Sequence, residues 1–172
     1  TASLPWYKPR DMPDAPLHEY PSFQTIGITG LPEIGPGDNL GYLIADAARD
    51  QGTPVADGDI LVVTQKIVSK AEGRVVPLEG VEPSEFARSF ASAAGRDPRL
   101  IELVLKESRA IVRMDPSRSL LITETWHGFV CANAGIDTSN VPGDSRVSLL
   151  PEDSDRSAGE IMREVARALG GG

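Results

Sequence analysis

Lys66, Lys70 and Arg74 stand four apart in "TQKIVSKAEGR", residues 64–74. Residues four apart share a face in a strand of period two and in a helix of period 3.6. Either conformation gathers the three cations on one side, with Glu72 the only acid nearby. Such an island can hold phosphate: a cation about 4 Å from a phosphate oxygen gains roughly 4 kcal/mol at an effective dielectric near 20. A solvated basic edge accounts for the spacing equally well. A Walker loop does not, because G-x-x-x-x-G-K-[ST] is absent. A second constellation lies in "HGFVCANAGIDTSNVPGD", residues 127–144, where an apolar run leads into small and polar residues. Gly135 permits a sharp turn. Asp137 then sits at a tip backed by Thr138, Ser139 and Asn140. One carboxylate among hydroxyls and an amide suits Mg²⁺ or Mn²⁺, whose shell substrate phosphates commonly complete. An Asx-turn, with Asp137 bonding the backbone of Ser139, explains the same residues. A third stretch, "GLPEIGPGD" at 30–38, reads as a backbone clamp on a nucleotide at a helix start or as an ordinary strand-to-helix turn.

Other chemistries find less support. His18 and His127 are isolated, and no Ser-His-Asp arrangement or metal-spaced His/Asp/Glu cluster occurs. Cys131 is the lone cysteine and sits in an apolar strand, which favours a packing role over a nucleophilic one. It allows no internal disulfide and fits a reducing, cytoplasmic setting.

The elements that must position these residues follow from pattern. "QTIGITG" (24–30) predicts a short strand, and Asp38 caps a helix from about Asn39 whose inner face is Leu40, Leu43, Ile44, Ala47 and Ala48. "DGDILVVTQ" (57–65) predicts a strand covered on both faces. Another short strand spans Arg74 to Leu78. A helix begins at Ser84 with Phe86, Phe90 and Ala94 in line, and Gly95 ends it. Asp97 and Pro98 open the next helix. "AIVRM", "SLLITET", "GFVCANA" and "RVSLLP" are strands, with "DPSR" as a turn. The closing helix carries Ala158, Ile161, Met162, Val165 and Leu169 on one side. It is amphipathic and needs something to cover. Helices and strands mix without strict alternation, so the fold class is α+β, a mixed sheet with packed helices. Residues 1–24, with five prolines and with Trp6 and Tyr7, form an extended arm before a domain at 25–172.

The whole chain sets a constraint. Its 172 residues suffice for one domain, and its net charge is −8. That charge opposes non-specific nucleic-acid binding. It also means that an anionic ligand needs a local source of positive potential, a helix N-terminus or a metal. No apolar run is long enough to cross a bilayer, and no signal peptide pattern opens the sequence.

"ITGLPEIGPGDNL", "GDILVVTQKIVSKAEGR", "DPRLIELVLKES", "LLITETWHGFVCANAGIDTSNV" and "LLPEDSDRSAGEI" together resemble the coenzyme F420:L-glutamate ligase family, also called F420-0:gamma-glutamyl ligase. The likeness runs from about Thr25 to Leu169, in order and with matching spacing. The resemblance implies a distinctive α/β arrangement that forms an intertwined homodimer. It also implies GTP-dependent amide formation. The precursor's terminal carboxylate is phosphorylated by GTP, and the amine of L-glutamate attacks the acyl phosphate; a second glutamate can follow. Mn²⁺ or Mg²⁺ is required and K⁺ assists.

By matching position, the resemblance implies that Leu31, Pro32, Glu33 and Ile34 line the nucleotide, largely through backbone. Gln65, Lys66 and Lys70 would contact its phosphates or ribose. Asp137 would hold a divalent metal, and Asn140 would touch the nucleotide. Lys70 and Asp137 are the expected catalytic pair. The family pattern continues past the closing helix into an Asp-Thr or Asp-Ser pair followed by Gly-Arg, with further metal ligands. That segment is not in this sequence, so the resemblance implies one part of a metal and nucleotide site. The alternative is a non-catalytic nucleotide-binding or assembly domain derived from such a ligase, or a structural piece whose closing helix docks a partner.

Overall fold

The computed structural model describes residues 23–138 and 146–170. Most of the expected N-terminal arm, together with Ser139 and Asn140, lies outside the described residues. Among the described residues, five α-helices run Leu40–Asp50 (α1), Gln65–Ala71 (α2), Glu85–Ala94 (α3), Pro98–Lys106 (α4) and Ser154–Ala168 (α5). The strands among these residues are Val75–Pro77 (β1), Ser108–Asp115 (β2), Leu120–Thr125 (β3), Val130–Ala132 (β4) and Arg146–Ser148 (β5). Among the described residues β1 pairs with β5, and β2, β3 and β4 form a second sheet in that order, all antiparallel. The architecture is α+β.

Capping residues fix the helix starts. Asn39, Ser84, Asp97 and Asp153 each accept a bond from a first-turn backbone N–H. The first of these moves the expected cap of α1 from Asp38 to Asn39. Asp38 instead accepts the N–H of Gly35 at 2.7 Å and closes the turn before the helix.

Three apolar clusters form the core. Ile34, Leu40, Ile44, Val68, Ile161 and Val165 join α1, α2 and α5. Ala87, Phe90, Ala91, Ile101, Val104, Leu121 and Ala134 seat α3 and α4 on the β2–β4 sheet. Leu78, Leu103, Val147 and Leu149 pack β1 and β5 beside α4. The closing helix therefore covers α1. Its buried stripe is Ser157, Ile161 and Val165, whereas Ala158, Met162 and Leu169 of the expected face are exposed. Gly41 lets the α5 backbone come against α1 at Ile161 and Val165.

Two expected strands differ. Residues 24–30 and 57–64 carry no strand ladder among the described residues. In the second, Leu61 and Val63 pack on the α1–α2–α5 cluster while Ile60 and Val62 point outward. One face is covered, not two, because among the described residues no second layer lies over Ile60 and Val62.

Candidate functional site

The cations are placed by the end of a short helix. In α2, Lys66 and Lys70 stand one turn apart, about 6 Å along the axis, on one face. Gly73, at φ 70°, then ends the helix: its N–H reaches Lys70 O and the N–H of Arg74 reaches Ser69 O. That closure needs the left-handed conformation glycine adopts without strain. It also turns Arg74 out of the row. Arg74 Nε donates to Leu150 O at 3.0 Å, and its terminal nitrogen pairs with Glu107 at 2.7 Å. Arg74 is a structural clamp, and the expected island of three cations is an island of two.

Both remaining cations meet carboxylates brought from distant sequence. Lys66 Nζ lies 2.8 Å from Asp137 Oδ2. Lys70 Nζ lies 2.5 Å from Glu33 Oε1. The α2 face, the 31–34 loop and the tip after β4 thus converge. Lys70 and Asp137 lie on the same side of the molecule.

Asp137 is aimed by an unusual backbone. Asn133, Ala134 and Gly135 all take positive φ, at 53°, 52° and 70°. Two non-glycine residues in the left-handed region cost on the order of 1–3 kcal/mol each. Arg96 donates to Asn133 Oδ1 at 2.8 Å and fixes that turn from the end of α3. Burial lowers the Arg96 pKa from its ordinary value. The backbone of Asp137 then pairs with Ser148 in both directions, at 3.0 and 2.8 Å, which ties the tip to β5. Neither Arg96 nor Asn133 was expected from the sequence. The available signal was Asn before Ala-Gly, since Asn tolerates the left-handed region better than most residues.

The other candidates are placed as follows. Ile34 is buried in the α1–α2–α5 cluster, and Leu31 packs against it. Pro32 and Glu33 are exposed. Gln65 turns inward: its Nε2 donates to Ser69 Oγ at 2.7 Å and to Leu149 O at 3.0 Å. Its side chain locks α2 to the end of β5. His127 donates through Nε2 to Glu152 O at 2.9 Å and stacks on Phe129, a structural setting. Burial raises the Cys131 thiol pKa, which keeps it protonated and poorly nucleophilic.

Asp137 offers one hard oxygen donor to a divalent ion. Among the described residues no group of three His, Cys, Asp or Glu side chains could hold a metal. The donor set fits an ion whose remaining shell comes from substrate phosphates and water, and does not fit a closed protein cage. A separate hollow of about 170 Å³ opens between α1, α2 and α5, with Asp38, Glu72, Glu160 and Glu164 in its lining. Its acidity opposes an anion. Three of the four carboxylates are already bonded: Asp38 to Gly35 N–H, Glu164 to Gly41 N–H, and Glu72 to Glu152 N–H and the Ser157 hydroxyl.

The family model for F420-0:gamma-glutamyl ligase matches residues 29–171, which includes every element described. The chain belongs to the F420-0:gamma-glutamyl ligase family. Coenzyme F420:L-glutamate ligase of Methanothermobacter thermautotrophicus is 46% identical over 145 residues, covering 84% of this chain and 56% of the relative. The enzyme of the same name from Methanopyrus kandleri is 44% identical over 149 residues, 85% of this chain and 56% of its own. That from Methanocaldococcus jannaschii is 36% identical over 156 residues, 90% of this chain and 58% of its own. The chain thus spans little more than half the length of these relatives. Within the ligase family's matched region, α2, the 31–34 loop and the Asp137 tip all fall inside the shared part. No helix among the described residues is long and apolar enough to cross a membrane.

Proposed function

We propose that this chain carries part of the nucleotide and metal site of a GTP-dependent ligase that joins L-glutamate to the coenzyme F420 precursor F420-0. One observation carries the reading: two lysines on a single helical face, each facing a carboxylate from a different part of the chain, in a protein of net charge −8. Lys66 and Lys70 would bind phosphate oxygens of GTP. Asp137 would hold Mn²⁺ or Mg²⁺, which when bound neutralises charge on those phosphates. The 31–34 loop, Pro32 and Glu33 in particular, would lie along the nucleotide, and Asn140 would join it.

The two ion pairs stand where ligand charges would stand. The Lys66 and Asp137 side chains are about a quarter and a third exposed, so their pair is worth at most about 1 kcal/mol. A triphosphate for the lysine and a cation for the carboxylate displace such a pair readily. In the proposed reaction a carboxylate oxygen of F420-0 attacks the γ-phosphorus and GDP leaves. The glutamate amine then attacks the acyl carbon, phosphate departs, and the amine proton is released to solvent. The lysines' part is to place the γ-phosphate and hold its charge. Potassium and a homodimer belong to the same reading.

A second reading is a nucleotide-binding domain without turnover of its own, which the Lys66 and Lys70 face alone would serve. A single experiment addresses both. The chain is incubated with GTP, Mn²⁺, L-glutamate and F420-0, and GDP and glutamylated product are measured beside calorimetric GTP binding. Product with GDP supports the ligase. GTP binding without product supports the binding domain. No GTP binding overturns the site.

A further inference from the structure

Among the described residues, Thr123 Oγ1, His127 Nδ1 and Ser148 Oγ are buried polar atoms with no hydrogen-bond partner. Thr123 lies within the β2–β4 sheet and His127 in the turn after β3. Ser148 stands at the end of β5, fully buried, and its backbone pairs with Asp137 in both directions, at 3.0 and 2.8 Å. Residues that exchange both backbone bonds stand directly opposite each other, with their side chains on one face. Their Cβ atoms lie about 5.5 Å apart, so a hydroxyl and a carboxylate meet by side-chain rotation alone. Val147 and Leu149 pack in the cluster beside α4. Alternation along the strand therefore puts Ser148 on the opposite face, where Lys66 meets Asp137. The hydroxyl and amide of α2 nearest to β5 are committed: Ser69 Oγ and Gln65 Nε2 both donate to Leu149 O. A buried hydroxyl with no partner carries an uncompensated desolvation cost, which folding alone does not explain.

We propose that Ser148 is a positioning residue for the Asp137 carboxylate, engaged when nucleotide and metal bind. Without ligand, Lys66 holds that carboxylate at 2.8 Å. With ligand, Lys66 turns to phosphate and one oxygen of Asp137 faces a divalent ion. The Ser148 hydroxyl then donates to the other oxygen and fixes the side chain in the rotamer that presents it. A ligating carboxylate is oriented by such a bond, and its loss weakens metal affinity. Ser148 gives up no bond of its own to do this, so the new bond stabilises the bound state alone. The inference rests on the proposed nucleotide and metal site, and it names the residue that orients that site's carboxylate.

Ser148→Ala and Ser148→Cys are tested by calorimetry of GTP with and without Mn²⁺, each alone and combined with Asp137→Asn. Urea unfolding of the ligand-free chain is measured beside them. Cysteine leaves no cavity but donates weakly, so it separates hydrogen bonding from packing. Both variants should cut the Mn²⁺-dependent gain in GTP affinity about fivefold, and the loss should appear only with Mn²⁺. Neither should have a further effect once Asp137 is Asn. The unfolding midpoint of Ser148→Ala should stay level or rise, because the hydroxyl removed has no partner in the ligand-free chain. A purely structural role predicts a lower midpoint and an unchanged Mn²⁺ gain, and either result overturns the proposal. So does a loss that persists in the Asp137→Asn background. A Mn²⁺ gain that survives Asp137→Asn, or none in the parent chain, overturns the metal reading itself and this inference with it.

Discussion

Lys66 and Asp137 hold each other at 2.8 Å, and their roles separate by substitution because each would meet a different ligand. Asp137→Asn keeps shape and hydrogen-bonding capacity but removes the charge that attracts a divalent ion. The expected outcome is loss of the Mn²⁺-dependent gain in GTP affinity, about tenfold or more, with metal-free binding nearly unchanged. Lys66→Gln should weaken GTP with and without Mn²⁺. Calorimetry of both variants in both conditions checks this, and identical profiles would refute the division of labour. A second residue has a pH signature. Asp97 caps α4, and its carboxyl is held below the ordinary value of 3.8, chiefly by the Arg99 side chain. The unfolded chain takes up that proton at higher pH than the folded one. The stabilisation is therefore complete above the unfolded value and fades as pH falls through the lower folded value. Asp97→Ala should cost about 1 kcal/mol at neutral pH, and the gap should narrow below about pH 4 in urea titrations.

Helix α1 meets α5 through a missing side chain. A Cβ built on Gly41 would lie 2.9 Å from Ile161 O and Val165 N, and closer still to Glu164 Cβ. Those neighbours are mostly helix backbone, which cannot step aside. Gly41→Ala should therefore destabilise by roughly 1–3 kcal/mol despite alanine's better helix propensity, and a thermal melt measures it. This contact also marks what the sequence leaves unread. The helix start at Ser84, the cap at Asp97 and the left-handed Gly95 were legible because each acts within one turn of chain. The buried face of α5 was not, since hydrophobicity favoured Met162 and Leu169, while Ser157 faces inward and its hydroxyl bonds the Glu72 carboxylate. The strand expected at 57–65 was legible in its inward residues only. Its outward pair reads as buried by composition, and only a tertiary partner decides that. The lysine row was legible for Lys66 and Lys70, but a left-handed glycine outside the helix redirected Arg74. Asp137 stood out by type. The Arg96–Asn133 bond behind it spans 37 residues and leaves no local pattern.

At the scale of the whole molecule, Arg74 is where the helical layer of α1, α2 and α5 meets the layer of α3, α4 and the β2–β4 sheet. Its backbone N–H closes α2 on Ser69 O, and its carbonyl accepts the N–H of Leu149 beyond β5. Its guanidinium then spans from Leu150 O to Glu107 at the end of α4. Both side chains of the ion pair are about one-fifth exposed, so water replaces neither partner fully. Arg74→Met keeps the aliphatic stem, orphans Leu150 O and leaves the Glu107 carboxylate without its cation. About 2 kcal/mol should be lost, because a partly buried group stripped of its partner keeps its desolvation penalty. Adding Glu107→Leu removes that stranded charge, so the double variant should be more stable than the sum of the singles by about 1–2 kcal/mol. Urea unfolding carries a second reading. If Arg74 only strengthens one cooperative unit, the midpoint falls and the slope stays constant. A slope that falls with it would mean that the layers unfold separately once the clamp is cut. The lysine face of α2 and the Asp137 tip, already joined through the Gln65 and Ser69 bonds to Leu149 O, would then lose their brace to α4, and GTP affinity should fall with the slope.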